Sequence, residues 1–192
     1  RSDPDVIMIG EMRDTETAKT ALNASLTGHL VLSTLHTNNA PETLIRLIEM
    51  GMNPLNFADA ILGVLSQRLT RKLCDFCKES YHPDYDEYKA LVDLYGAGSP
   101  ASHNLPDYTD HVLLMRAKGC DRCEGSGYKG RIALHEFLKA TREIKTAIKN
   151  KEAVEDIRNL ALSLGMKTLI MDGVLKVFNG LTDMKQVLRV AL

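Results

Sequence analysis

The chain has 192 residues, of which 44% are hydrophobic and 26% are charged, proportions that are ordinary for a globular protein. Its 24 Lys and Arg residues nearly balance its 25 Asp and Glu residues, so charge gives no reason to expect nucleic acid or an acidic membrane as a partner. No apolar run approaches the roughly 20 residues that span a bilayer. Because the chain opens with Arg1 and enters a predicted strand within a few residues, we expect it to be part of a longer protein.

A short apolar strand near the start is followed directly by a carboxylate. The run from Val6 to Ile9 is too short for a helix and is rich in residues that suit a strand buried on both faces. Gly10 and Glu11 follow, and the first polar side chain beyond such a parallel strand points into a binding crevice. We therefore suspect that Glu11 takes part in chemistry; the alternative is a core strand followed by a solvated turn.

A helix and a second strand complete a βαβ unit. Asp14 or Thr15 is predicted to cap a helix that runs to about Leu26, and residues 29–35 are predicted to form a second, largely apolar strand. Parallel strands joined in this way end at the same edge of the sheet. Residues 36–38 (His-Thr-Asn) therefore end up at the edge that carries Glu11, which favours a functional site over a solvated turn.

Two more helices and a strand are predicted before the first cysteine. Asn39 caps a helix that ends before Gly51, and a further helix is predicted over residues 53–66. Residues 67–73 are mostly polar with two leucines, which indicates a strand with one face in solvent.

The second half of the chain is predicted to contain a polar loop between short regular elements and then a helical end. The elements are a helix (residues 84–95), a loop (96–111), a strand (112–115), a turn (125–130) and a strand (131–138). The last fifty residues or so carry apolar stripes of helical period. Thr141 and Thr182 are each predicted to cap a helix, and two further helices are predicted over residues 151–164 and 168–178. Such stripes more often pack into a core than form a binding surface.

All four cysteines belong to two Cys-x-x-Cys pairs, formed by Cys74, Cys77, Cys120 and Cys123. Two such pairs can surround one tetrahedral zinc ion, and a site filled by four thiolates is structural rather than catalytic. Two disulfides would need an oxidising compartment, which nothing here indicates; a redox pair would explain only one of the two motifs. Residues 120–127 also have the form of the J-domain chaperone repeat, which those proteins carry four times. We expect structural zinc, with disulfides or redox chemistry as the alternatives.

Several long motifs in the same order resemble the secretion ATPases that drive type II secretion and type IV pilus assembly. The matching stretches are the Walker B region (residues 3–14), the His box (27–38), the four-cysteine zinc insert (67–77 and 119–131) and the C-terminal helical region (165–169 and 172–173). Retraction ATPases of the same superfamily usually lack the cysteines. The motifs therefore favour the assembly or secretion branch.

The resemblance implies an α/β fold: a partial RecA-like P-loop NTPase core over residues 1–73, a zinc-binding subdomain over 74–138, and a helical C-terminal region over 139–192. It implies that the full-length protein is an ATPase that uses ATP and Mg²⁺ and forms a homo-oligomeric, hexameric ring. It also implies a cytoplasmic location, peripheral to the inner membrane through secretion or pilus platform proteins, and no role in binding nucleic acid.

The resemblance also assigns roles to residues at the strand ends. Glu11 would act on Mg²⁺ through water and polarise the attacking water, while His36 would contact the terminal phosphate of the nucleotide. Gly10, Arg13 and His29 would support the nucleotide site. For His29, the alternative is a strand-edge imidazole without a role.

One motif of the family is missing from these 192 residues. No Gly-x-x-x-x-Gly-Lys-Ser/Thr loop occurs, although this loop supplies the N–H groups and the lysine that hold the β and γ phosphates. We expect it upstream of Arg1, and we expect the present chain alone to be inactive. The rival interpretation is a non-enzymatic, zinc-stapled protein-interaction module, which would leave the placement of Glu11 and His36 unexplained.

Overall fold

The computed structural model describes residues 4–96 and 105–191; Asp3 and residues 97–104 of the predicted loop lie outside the described residues. The described strands are β1 (Val6–Ile9), β2 (Leu30–Ser33), β3 (Gly63–Leu73), β4 (Glu79–Tyr81), β5 (Leu114–Arg116) and β6 (Tyr128–Lys139). The described helices are α1 (Thr15–Leu26), α2 (Ala40–Glu49), α3 (Pro54–Ala60), α4 (Tyr85–Tyr95), α5 (Arg142–Asn150), α6 (Val154–Ser163), α7 (Leu169–Phe178) and α8 (Met184–Ala191). The α/β prediction is confirmed, and each of the described helices is too short or too polar to cross a bilayer.

The chain divides into two compact units, each made of two separate segments. Unit 1 comprises Arg1–Ser66 and Phe137–Met166, and unit 2 comprises Gln67–Glu136 and Lys167–Leu192. The motif-based division of the chain into three parts remains a prediction.

In unit 1, the predicted βαβ unit is present. β1 and β2 run parallel, with Val6 opposite Leu30 and Ile9 opposite Ser33. Asp14 caps α1 between them, because its side chain accepts a hydrogen bond from the amide N–H of Thr17. The carboxyl ends of both strands therefore lie at one edge of the sheet.

The core of unit 1 is built by helices. Leu44 of α2, Phe57 of α3, Ile148 of α5 and Ile157 of α6 are all buried in one apolar cluster. Burial of side chains of this size contributes about 1.5–3 kcal/mol each, so these helices account for most of the apolar stabilisation of the unit.

The prediction that the first strand is buried on both faces is wrong. Apolar side chains on one face of the two-stranded sheet are between 43% and 64% exposed, namely Val6, Met8, Leu30 and Leu32. Strand side chains alternate between faces, and Ile7 and Ile9 on the other face are only half-buried. Within residues 4–96 and 105–191, no element covers the exposed face.

The helix predicted over residues 53–66 ends early. α3 stops at Ala60, Ile61 is extended, and β3 begins at Gly63. A Cβ on Gly63 would lie 2.9 Å from the ring of Phe137 and 3.0 Å from the carbonyl oxygen of Leu138, so β6 approaches this position closely. Pairing with β6 therefore outweighs the helical spacing of the apolar residues, as tertiary context commonly does.

In unit 2, β4 pairs antiparallel with β5 through Ser80 and Met115. β4 was not predicted, and β5 begins two residues later than the predicted strand. α7 and α8 approach closely, because a Cβ on Gly173 would lie 2.3 Å from a methyl group of Val187. Only glycine permits this packing distance.

The prediction that Thr182 caps the last helix is wrong. The amide N–H of Gln186 donates to Oδ1 of Asp183 at 3.0 Å, so Asp183 is the capping residue. Thr182 is buried, and its hydroxyl donates to the carbonyl oxygen of Arg71 at 2.8 Å. The Thr182 hydroxyl therefore does not cap α8 but links the segment before this helix to β3.

Candidate functional site

Two hydrogen bonds join the loops that follow β1 and β2. The amide N–H of Met12 donates to the carbonyl oxygen of Thr34 at 3.0 Å. The hydroxyl of Thr34 donates to the carbonyl oxygen of Gly10 at 2.5 Å. These bonds fix Gly10 and its neighbour Glu11 relative to the end of β2. Sequence reasoning missed Thr34, although a hydroxyl at the end of an apolar strand is a detectable signal.

The side chains of Glu11, Arg13 and His36 meet at this edge. Nε and a terminal nitrogen of Arg13 lie 2.6 Å and 2.5 Å from Oε2 of Glu11. Nε2 of His36 lies 3.1 Å from Oε1 of the same carboxylate. The Glu11 side chain is 21% exposed, whereas those of Arg13 and His36 are 77% and 87% exposed. The carboxylate is thus held in place beneath two side chains that remain open to solvent.

The pKa of Glu11 is below its ordinary value, because the Arg13 side chain donates a hydrogen bond to the carboxylate and the charges of Arg13 and His36 favour its ionised form. The pKa of Arg13 is raised by the same carboxylate. Glu11 is therefore ionised at neutral pH and acts only as a hydrogen-bond acceptor. A fixed carboxylate of this kind can orient a water molecule or accept its proton.

His29 is not brought into this cluster. It precedes β2, so it lies at the amino edge of the sheet, whereas Glu11 and His36 lie at the carboxyl edge. Its Nδ1 is 3.0 Å from the carbonyl oxygen of Ala24, near the end of α1. A direct contribution of His29 to the Glu11 cluster is not supported by this placement, and its role in the nucleotide site remains a prediction.

The four cysteines come together in unit 2. The sulfur atoms of Cys74, Cys77, Cys120 and Cys123 lie within 4.8 Å of one another. Cys77 Sγ and Cys120 Sγ are 3.7 Å and 3.8 Å from Cys123 Sγ. Four thiolates bound at about 2.3 Å around a tetrahedral zinc ion are about 3.8 Å apart. The donor set thus fits zinc, and none of the four cysteines forms a disulfide.

Backbone N–H groups point at the cluster. Cys123 Sγ accepts hydrogen bonds from the amides of Cys120 and Gly127, both at 3.2 Å. Burial opposes ionisation of Cys123, but the hydrogen bonds from these two N–H groups and from the Cys77 and Cys120 side chains together lower its pKa to about 6. Gly127 has a φ of +76° and packs against Ala117, where a Cβ would lie only 2.6 Å from the alanine methyl group. This position requires glycine to present its N–H to the sulfur.

The model of the family described as "Type II/IV secretion system protein" matches residues 1–189 of the chain. The chain belongs to this family. The resemblance seen in the motifs is confirmed by this match and by the relatives that follow.

The Type IV pilus assembly ATPase PilB of Thermus thermophilus is 44% identical over 192 residues, which cover 98% of this chain and 20% of that protein. The Type II secretion system protein E of Pseudomonas aeruginosa is 42% identical over 190 residues, which cover 99% of this chain and 35% of that protein. The chain thus spans only a fifth to about a third of the length of these members of the secretion system family.

Solved structures of a pilus retraction motor and of another ATPase have a similar fold. The pilus retraction motor PilT with bound ADP aligns with a TM-score of 0.60 and 24% identity over 99% of this chain and 40% of that chain. The ATPase DotB of Legionella pneumophila aligns with a TM-score of 0.59 and 22% identity over 98% of this chain and 38% of that chain. At these identities the likeness concerns the fold alone.

Proposed function

We propose that this chain is the C-terminal part of an ATPase that couples ATP hydrolysis to type II secretion or type IV pilus assembly, with a RecA-like core. The observation that carries the proposal is the convergence of Glu11, Arg13 and His36 at the ends of two parallel strands. Membership in the secretion system family supports it, since the pilus relative is named an assembly ATPase.

In the proposed site, the ionised Glu11 carboxylate accepts a hydrogen bond from the attacking water and orients it toward the terminal phosphate. His36 is almost fully exposed and can turn from Glu11 toward that phosphate. Arg13 keeps Glu11 anionic and limits its rotation. Mg²⁺ bound with the nucleotide would supply neutralisation of phosphate charge, and the carboxylate of Glu11 can accept hydrogen bonds from its water ligands.

The proposal needs a phosphate-binding loop from elsewhere in the full-length protein. None of the 192 residues belongs to a Gly-x-x-x-x-Gly-Lys-Ser/Thr motif. Without the N–H cradle of such a loop, Glu11 and His36 form only half of a nucleotide site.

We further propose that Cys74, Cys77, Cys120 and Cys123 bind one structural zinc ion. Their sulfur spacing supports this.

We also propose that the full-length protein forms a hexameric ring in the cytoplasm and contacts platform proteins of the inner membrane, since an ATPase of such a machine would transmit force through these contacts.

The test is the substitution Glu11→Gln in the full-length protein. The amide keeps the shape of the side chain but is a poorer proton acceptor, so we expect ATP turnover to fall at least about 100-fold. Nucleotide affinity, measured with a fluorescent ATP analogue, should stay within about threefold of the original, since binding depends mainly on the phosphate loop.

Glu16→Gln is the matched control, because Glu16 is an exposed carboxylate in the first turn of α1, outside the cluster of Glu11, Arg13 and His36. We expect its turnover to match that of the unchanged protein. Unchanged turnover of Glu11→Gln would remove Glu11 from the mechanism and favour the non-enzymatic, zinc-stapled interaction module.

A further inference from the structure

A cavity of about 470 Å³ in unit 2 is lined by four basic side chains. We call it the basic cavity and define it by Arg71 of β3, Arg122 of the Cys-x-x-Cys turn, and Lys129 and Arg131 of β6. Glu124 is the single carboxylate among its lining residues. The cavity therefore has a local excess of positive charge on a chain whose net charge is only −1.

The four basic side chains of the cavity differ from most other basic side chains of unit 2 in whether they form ion pairs. Six described cations elsewhere in the unit form ion pairs with carboxylates, namely Lys72, Lys78, Lys89, Arg116, Lys118 and Lys176. In the described part of the chain, no carboxylate lies within ion-pairing distance of any of the four cations of the basic cavity. Ion pairs within the described residues therefore do not neutralise these four charges.

Three of these cations lie over aromatic rings. The guanidinium carbon of Arg122 lies 4.0 Å from the centre of the Phe76 ring, and Nζ of Lys129 lies 6.0 Å from the same ring. The guanidinium of Arg71 lies 6.0 Å from the centre of the Tyr128 ring. A cation–π contact orders a side chain and leaves its hydrogen-bond donors available. The cavity is thus preorganised for an anionic ligand.

We propose that the basic cavity binds an extended, acidic peptide segment of a partner protein. Lys129 and Arg131 are exposed and line the same cavity on either side of Gly130, whose φ of +81° departs from regular strand geometry. Their two charges therefore face one space that an acidic segment can enter. Alternate side chains of an extended peptide lie about 6.6–6.8 Å apart on one side, so two carboxylates of one segment can contact separate cations of the cavity.

The exposed Phe76 ring strengthens the case for a protein partner. It is 62% exposed, carries Arg122 on its face, and lies beside the cavity. Arginine and aromatic side chains are enriched at the centres of protein interfaces. A flat anionic bilayer would meet a convex basic surface more easily than a concave one, so the shape of the site favours an inserted chain segment.

The test measures binding of a short fluorescein-labelled peptide of alternating aspartate and valine by fluorescence anisotropy, in the absence of nucleotide. We expect the double variant Lys129→Gln, Arg131→Gln to bind the peptide at least about tenfold more weakly, since two charge contacts are lost. The matched control is Lys185→Gln, Arg189→Gln, which removes the same charges from the exposed side of α8. It should change the affinity by less than about twofold.

Zinc content and the unfolding midpoint of each variant show whether unit 2 stays folded. Equal loss of affinity in both double variants would overturn the proposal, because binding would then follow overall charge. Absence of peptide binding, with binding of phosphatidylglycerol vesicles that depends on Lys129 and Arg131, would also overturn it in favour of a membrane. Displacement of the peptide by inorganic phosphate, but not by chloride at equal ionic strength, would overturn it in favour of a small anion.

Discussion

Asp14 ties the start of α1 to the loop that carries Glu11. Its Oδ1 accepts the amide N–H of Thr17 at 2.7 Å, and its Oδ2 accepts the Thr17 hydroxyl at 3.0 Å. Hydrogen bonding by the amide N–H of Thr17 lowers the pKa of Asp14 below its ordinary value. An anionic cap also interacts favourably with the helix dipole. The residue therefore couples local helix stability to pH, directly after Arg13 in the sequence.

We expect Asp14→Ala to lower the urea midpoint of unfolding at neutral pH, because the Thr17 amide loses its acceptor. Asp14→Asn should keep most of the cap and lose only the charge. Since the folded pKa of Asp14 is lowered, its ionised form stabilises the fold above the unfolded pKa of about 3.9, and this contribution is lost as pH falls through the folded pKa. The gap between Asp14→Asn and the unchanged protein should therefore close below about pH 4. A gap that stays constant across that range would contradict this account.

At the scale of single elements, signals carried by neighbouring residues predicted the structure well. Asp14, Asn39 and Thr141 cap helices as predicted, because a capping side chain needs only an amide three residues away. Contacts between distant segments were less predictable. The end of α3 depends on the close approach of β6 to Gly63, which apolar spacing within residues 53–66 cannot reveal.

The cysteine cluster depends both on hydrogen bonds within each Cys-x-x-Cys turn and on contacts between segments that are distant in sequence. Each Cys-x-x-Cys turn is closed locally, since the Cys74 carbonyl accepts the Lys78 amide at 2.9 Å and the Cys120 carbonyl accepts the Gly125 amide at 2.9 Å. The spacing predicted these turns. The meeting of the turns depends on contacts such as the hydrogen bond from the Cys74 amide to the Gly127 carbonyl at 2.9 Å, which the sequence does not reveal.

We expect the purified protein to contain about one equivalent of zinc, and Cys123→Ser to reduce this to less than about half, because four thiolates complete the tetrahedral shell. His111→Gln, which removes another possible metal donor of unit 2, is the control and should leave the zinc content unchanged. Metal analysis and titration of free thiols measure both. Full zinc content in Cys123→Ser, or thiols that react freely in the native protein, would contradict the proposed site.

For the molecule as a whole, the sequence predicted the class of site better than its arrangement. The order of the strands placed Glu11 and His36 at one sheet edge, and the structure brings them within 3.1 Å. The hydrogen bond from Arg13 to Glu11 could not be predicted, since the direction of an exposed arginine side chain depends on the conformation of the loop after β1. Burial was also misjudged, because apolar composition does not show whether another element covers the face formed by Val6 and Met8.

We expect the present chain, purified alone, to hydrolyse ATP at least about 1000-fold more slowly than the full-length protein, because no phosphate-binding loop occurs in its 192 residues. Release of inorganic phosphate measures the rate, and circular dichroism with zinc content shows that the chain is folded. Turnover close to that of the full-length protein would contradict the proposed half-site.

The two units are interleaved along the chain, with Gln67–Glu136 interrupting unit 1 and Phe137–Met166 interrupting unit 2. Neither unit is encoded by one uninterrupted stretch of gene. A single genetic crossover between the codons of Ser66 and Gln67 would exchange all of unit 2 and would pair segments from different parents within the core of unit 1. Exchange of one intact unit between related genes therefore needs several coordinated junctions, which favours inheritance of the two units together.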